Sequence, residues 1–450
     1  MAAVSSTARV SLRLPPSVWA PAEAATFEAL RSLAPMWVTG GWVRDKLLEF
    51  TETNPRVRQE WQEMQGLAGC AAGDIDVLVS GMSCKDFYHR CRRDENLRVS
   101  LLGPPVLVRA RGARSLDTVK LRLPGTDIDV TSLVDCQNFR AAKQGLPPEQ
   151  NVSTSDPSRT SFEALQEDAG HRDVTFNSFY YDPSTHEVVD PTGRGLKDLE
   201  AGVIRMPHPR SAAESIADDP LRVLRCYRFA ARFGFDLDEA LSLEPSDKNW
   251  AKGVSPGRLL NEVKKALLLH NRPSRFLALL DGPGEVHQTL FSKAGAQTLD
   301  HWQAGVGRVN RLETIVLEGL RRGHITSRSI QWRGRPAGSS KAAFLSPDWR
   351  KKGMYENDWA ELVLAALLWS CDAKALKGVG SQLELGGAMV ETIGKLQEGA
   401  RKKSISPQTA PPGVHLLNAA AASSESAESF WSRWPPPPPP RAPPPPPSGG

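Results

Sequence analysis

Apolar and polar positions change period several times along the chain. Thr26–Ala34 has helical spacing, and Met36–Val38 is a short apolar strand running into Gly40-Gly41. Val43–Phe50 returns to a helical pattern. Thr51–Gly73 is polar, ends in Ala and Gly, and reads as a loop or small surface insertion. Asp74–Ser80 alternates acid and apolar residues as a strand does. Val106–Arg109, Thr118–Leu123 and Asp127–Leu133 are further strands, the last two parted by the Pro124-Gly125 turn. A mixed α/β head follows from this. From Asp218 the pattern is helical, with Asp218 or Asp219 as a cap and Pro220 in the first turn. Leu221, Leu224 and Phe229 recur near helical spacing, as do Leu259, Val263 and Leu267, and then Phe276, Leu279 and Leu280. From about Ser404 the chain is rich in Pro, Ala and Ser and reads as a disordered tail.

Composition narrows the classes. A length of 450 residues implies about two to four structural units. Charged residues at 24% and hydrophobic residues at 40% describe an ordinary soluble protein. Eleven of the 36 prolines lie in the last sixteen residues, as Pro435–Pro440 and Pro443–Pro447, so the folded part is shorter than the chain. No apolar run reaches the ~18 residues of a membrane-spanning helix. Six cysteines without a Cys-x-x-Cys, and nine histidines, argue against a disulfide scaffold or a Cys/His zinc site and for a reducing, intracellular setting. The net charge of +5 permits a polyanionic partner without requiring one. Residues 1–22 contain Arg9, Arg13, Ser and Ala and no acid, a composition shared by organellar targeting segments and by frayed starts.

The first chemical constellation is Gly40-Gly41-Trp42-Val43-Arg44-Asp45, followed by Asp74-Ile75-Asp76. Two glycines between a strand and a helix leave bare backbone amides that can approach a phosphate chain, and Arg44 would add a fixed cation. Asp74 and Asp76 are two apart on a strand, so both project from one face. Paired carboxylates repel unless a cation lies between them, and hard oxygen ligands suit Mg²⁺. A solvated strand face is the plainer reading of such a pair. A second Asp-Ile-Asp, Asp127-Ile128-Asp129, offers an alternative metal site. The first pair directly continues the Gly-Gly element, which favours Asp74 and Asp76 as ligands. Asp129 then gives a third carboxylate from a neighbouring strand, and Asp127 is a turn residue.

Two further pairs carry chemistry. Arg172 suits phosphate and Asp173 suits a ribose 2′-hydroxyl. Asp219 and Arg222 are three apart, which on a helix puts them on one face. Asp accepts from an exocyclic amine and Arg donates to a ring nitrogen or carbonyl, so the pair would accept C and A and reject G and U. On spacing alone an intrahelical salt bridge is the stronger reading. Arg225, Arg228 and Arg232, and later Arg258, Lys264 and Lys265, extend the basic character.

Gly-Gly-Trp-Val-Arg-Asp-Lys-Leu-Leu followed by Asp-Ile-Asp resembles the head of the class II CCA-adding tRNA nucleotidyltransferases, a superfamily shared with bacterial poly(A) polymerases. The resemblance continues through Gln166–Ser178 and Asp190–Leu199. It is strongest over Asp218–Arg225 and Arg228–Phe235, and covers about residues 36–290. It implies an α+β fold: a polymerase-β-like mixed-sheet head followed by helical neck, body and tail. The expected boundaries are a targeting or disordered segment at 1–22, head at 23–205, neck at 206–290, body and tail at 291–403, and a Pro-rich tail at 404–450. The resemblance implies CCA addition to tRNA from CTP and ATP with Mg²⁺. Catalysis falls to Asp74, Asp76 and Asp129, and nucleotide binding to Gly40, Gly41, Arg44, Arg172, Asp173, Asn177, Arg225 and Arg228. Base selection falls to Asp219 and Arg222. A poly(A) polymerase, a CC-only or A-only enzyme, and a non-catalytic RNA-binding paralogue are the alternatives. The proline blocks could present polyproline II to SH3-, WW- or profilin-type partners. The sequence departs from the family at His171, where arginine is usual, and in the long spacing between Asp45 and Asp74.

Overall fold

The computed structural model describes residues 10–19, 21–51, 54–67, 75–109, 116–123, 126–143, 162–207, 210–245, 249–282, 284–322, 324, 330–331, 354–401, 412–422 and 425–432. Two compact units divide the chain, residues 1–252 and 253–450.

In the first unit eight strands form one mixed sheet. They are β1 (Val10–Arg13), β2 (Met36–Thr39), β3 (Ile75–Val79), β4 (Val106–Val108), β5 (Thr118–Leu123), β6 (Thr126–Ser132), β7 (Tyr180–Asp182) and β8 (Glu187–Asp190). The order is β1-β8-β7-β2-β3-β6-β5-β4. β3 and β6 run parallel, and the other neighbours are antiparallel. The alternation in Thr-Val-Lys-Leu-Arg-Leu makes β5: Val119, Leu121 and Leu123 are buried and Lys120 and Arg122 point away. Ile128 and Val130 of β6 join that buried face. On the other face, Leu78 packs with Leu133, Cys136, Ala164, Leu165, Ala169 and Tyr180, from the helices Leu133–Lys143 and Phe162–Gly170 and from β7.

Several expectations are corrected here. Part of the segment expected to be targeting or disordered belongs to the sheet. β1 pairs with β8, Leu14 and Val18 are buried, and Trp19 stacks on Trp42 at 4.3 Å while donating to the Tyr181 hydroxyl. The Thr51–Gly73 insertion, read as a loop, carries a mostly exposed helix, Pro55–Leu67. Val57 and Trp61 are four apart, share a face and are buried. Arg56 in this helix donates to the Gly234 carbonyl. Asp127 is a strand residue opposite Arg122, not a turn residue. The expected head–neck boundary at residue 205 is not a break between units. Phe176 sits edge-on to Phe229, Phe233 and Phe235, which ties the helix Leu221–Phe233 into the first unit. The neck expected at 206–290 is therefore divided at residue 252.

The described part of the second unit is almost wholly helical. Its longest described helix, Trp302–Arg321, buries Val309, Leu312, Ile315 and Val316. The helices Glu356–Leu367, Pro412–Ala421 and Ala427–Ser432 pack on it. The last two lie inside the segment expected to be a disordered tail. Val414, Leu416, Leu417, Phe430 and Trp431 are buried there, so the core of this unit extends past residue 404. The Trp431 indole lies against Gly319, where a side chain would collide with it, and donates to the Ile315 carbonyl. The two proline blocks lie outside the described residues. Among the described residues no helix is long and apolar enough to cross a membrane.

Candidate active site

The site grows from the end of β2. Gly40 follows Thr39 with φ of +73°, a backbone that side chains disfavour, and the helix Gly41–Phe50 starts immediately. Thr39 is in register with Asp76 on β3. A Cβ on Gly40 would lie 2.7 Å from Asp76 Oδ2, so the bare backbone here lets the carboxylate sit against the turn. Asp76 is in turn in register with Asp129 across the parallel β3–β6 ladder. The sheet thus brings Gly40, Asp76 and Asp129 together. Asp74 lies outside the described residues. Among the described residues no three His, Cys, Asp or Glu side chains converge as a metal site.

Lys120, which motif reading passed over, is opposite Asp129 on β5. Its Nζ lies 2.8 and 2.7 Å from the two Asp129 carboxylate oxygens.

Arg172 is anchored just beyond the helix Phe162–Gly170. It donates from Nε and Nη2 to Asp168 Oδ2 at 3.2 and 3.1 Å and from Nε to the Tyr180 hydroxyl at 3.1 Å. The Tyr180 hydroxyl also donates to Asp168. Burial alone would lower the Arg172 pKa, but Tyr180, Asp168 and Asp76 reverse this and keep the guanidinium charged. The dependence on Asp76 links Arg172 electrostatically to the acidic face. Asp168 and Tyr180 carried no signal by spacing alone.

A second network runs through the interior. Arg44 is buried. Its Nε lies 2.7 Å from Asp45 Oδ1, its Nη1 donates to Asn177 Oδ1 at 2.8 Å, and its guanidinium sits 4.7 Å over the Phe233 ring. It is a buried cation beside the Gly-Gly turn, its Nη2 3.3 Å from where a Cβ on Gly41 would lie. Asn177 Nδ2 donates to Asp173 Oδ1, which also accepts from the Val174 amide. Asp173 Oδ2 accepts from Arg225, at 2.8 Å from its Nε. Burial would raise the Asp173 carboxyl, but the Arg225 guanidinium and these hydrogen bonds outweigh it and hold the pKa well below the usual carboxylate range. Arg228 is also buried, with its guanidinium 4.5 Å over Phe229.

The Asp219–Arg222 pair is built differently from the helical expectation. The helix begins at Leu221 with Pro220 as its N-cap and no side-chain cap. Asp219 is extended, φ −144° and ψ 98°, because the residue before a proline is driven out of the helical region. Asp218 closes the preceding helix and pairs with Arg210. Arg222 donates to the carbonyls of His171 and Ser215. Burial lowers its pKa, against the opposing charges of Asp173 and Asp219. Asp190 accepts from Thr192 and from the Leu196 amide, so Asp190–Leu199 builds a turn and the start of the helix Gly195–Ala201.

The poly(A) polymerase head domain family matches residues 112–205. The stretch includes Lys120, Asp129, Arg172, Asp173 and Asn177. Over this stretch the chain is similar to the poly(A) polymerase head domain. The mitochondrial CCA tRNA nucleotidyltransferase of Saccharomyces cerevisiae is 30% identical over 252 residues, 54% of this chain and 39% of the yeast protein. A tRNA nucleotidyltransferase of Schizosaccharomyces pombe is 27% identical over 280 residues, 58% of this chain and 48% of that protein. These matches take in less than half the length of each relative. Among solved structures, the Thermotoga maritima CCA-adding enzyme complexed with tRNA superposes with a TM-score of 0.53 at 19% identity, over 94% of this chain and 82% of that one. At that identity the likeness establishes the fold, a polymerase-β-like nucleotidyltransferase head with helical continuation.

Proposed function

We propose that this chain adds C and A nucleotides from CTP and ATP to tRNA 3′ ends without a template, releasing pyrophosphate. The observation that carries the reading is the approach of the Gly40 turn to Asp76, with Asp129 in register beside it. The donors are carboxylate oxygens on one sheet face, a set that suits Mg²⁺. Asp74, Asp76 and Asp129 are the residues that would hold it. Bound there, the ion would lower the pKa of the attacking 3′-hydroxyl and offset charge on the α-phosphate and leaving pyrophosphate.

The protein's own groups do the positioning. The Gly40-Gly41 backbone leaves room for a triphosphate, and Arg172, fastened by Asp168 and Tyr180, faces that charge. Asp173 and Asn177, fixed by Arg225 and Arg44, align the ribose. Asp219 and Arg222 select the base, with Arg222 steadied by the His171 and Ser215 carbonyls. Arg225 and Arg228, both on the helix Leu221–Phe233, complete the nucleotide-binding set.

The test is incorporation of labelled CTP and ATP, offered separately, into tRNAs ending before the first C, the second C or the final A. Sequential addition at all three is expected. Adenylate alone at every end would make the chain a poly(A) polymerase, and activity at a subset of ends would make it a CC-only or A-only enzyme. Asp76→Asn should cut incorporation by about a thousandfold, and an undiminished rate would refute the site.

A further inference from the structure

Lys120 holds a position that none of the roles above requires. It stands on the middle of β5, directly opposite Asp129. Asp129 in turn stands beside Asp76. The Lys120 ammonium spans both oxygens of the Asp129 carboxylate, at 2.8 and 2.7 Å. A divalent ion coordinated by Asp129 needs at least one of those oxygens. An ammonium and a metal ion so close would also repel each other. The pair is not locked: the Lys120 side chain is 46% exposed and that of Asp129 23%, and a four-carbon stem can swing the ammonium into water. The geometry is that of a displaceable occupant.

We propose that Lys120 is an internal counter-cation of the centre, competing with the divalent metal for Asp129 and thereby setting the metal concentration this chain requires. The proposal rests on the reading of Asp76 and Asp129 as metal carboxylates. Without metal, Lys120 neutralises Asp129 and limits repulsion between the two adjacent acids. With metal, it must release at least one oxygen, so its departure is coupled to occupancy.

The test uses the full chain with Mn²⁺ alone, the free ion being counted by electron paramagnetic resonance. Lys120→Met should tighten Mn²⁺ binding by about fivefold, the scale of a half-exposed ion pair. Lys120→Arg, which keeps the charge, should stay near the wild-type affinity. In an Asp129→Asn background Lys120→Met should change nothing. Equal Mn²⁺ affinity for wild type and Lys120→Met overturns the proposal. If Asp76→Asn abolishes binding while Lys120→Met has no effect, the competition alone fails and the metal reading stands. If Asp76→Asn leaves binding unaltered, the metal reading fails and the proposal with it.

Discussion

The interiors of the two units are organised on different principles. In the first, charged side chains lie inside and are held by one another: Asp45 to Arg44, Arg44 to Asn177, Asn177 to Asp173, Asp173 to Arg225. Each link is a directed bond between particular atoms, and removing one partner strands the next in a dry place. In the second unit the long helix Trp302–Arg321 is covered mainly by apolar and small residues, with Trp431 lying over Gly319 and Glu313, bonded to Ser274, as its buried acid. Here shape counts more than direction. A polar chain of this kind leaves a recognisable string of residue types, because few substitutes satisfy it. An apolar interface does not, because many residues of similar volume will do.

The sharpest way to break the second arrangement is Trp431→Ala. It empties a buried volume and removes the indole hydrogen bond to the Ile315 carbonyl, and should cost about 3–5 kcal/mol. Urea unfolding measures it. A loss below about 1 kcal/mol would mean that the C-terminal helices contribute little to this core.

Acidity should separate the two units next. Asp173 has a folded pKa below its unfolded value, so its contribution is present above the ordinary carboxylate range and lost as pH falls below about 4. Glu313 in the second unit is the reverse. It is buried and accepts from the Ser274 amide and hydroxyl, yet burial pushes its carboxyl up to about 7. The folded state then binds the proton more tightly than the unfolded one. Its contribution is full below the ordinary glutamate value and is lost as pH rises to about 7, on the order of 3 kcal/mol. Melting followed from pH 5 to 7.5 should show that decline in the wild type and a flatter profile in Glu313→Gln. An equal slope in both would remove Glu313 as its source.

The smallest effect tests the periphery of the first unit. Arg56 reaches Gly234 and Asp236 from the inserted helix, but its side chain is mostly exposed. Arg56→Ala should cost less than ~1 kcal/mol in the same unfolding assay. A larger loss would give the inserted helix a bigger part in the fold than Val57 and Trp61 already supply.

These contrasts explain what the sequence made legible. β5 was readable to the residue because Val119, Leu121 and Leu123 alternate with polar partners. The Gly40, Asp76 and Asp129 positions were readable because the chemistry needs those residue types. The β7–β8 hairpin was not anticipated, since its strands are short and buried among aromatic residues. The helix Pro55–Leu67 does carry a signal, Val57 and Trp61 four apart, but a polar surround masked it. The end of the core was hidden by an alanine-rich run, where small residues that allow close helix contact look like low complexity. Asp219 was misplaced because spacing took precedence over the proline that follows it. Lys120 belongs to no short pattern and emerges only from strand register, and the part of Asp168 emerges only from its bonds to Arg172 and Tyr180.

The β3–β6 ladder has a kinetic consequence. Asp76 and Asp129 are neighbours only across a parallel pairing whose partners are far apart along the chain, with two helices and two strands intervening. Closing such a connection is entropically costly and slow compared with forming hairpins or helices. A molecule still awaiting that closure would have Asp76 and Asp129 on separate strands and not yet side by side. The pair is therefore a reporter of finished topology, assembled when the head sheet zips shut.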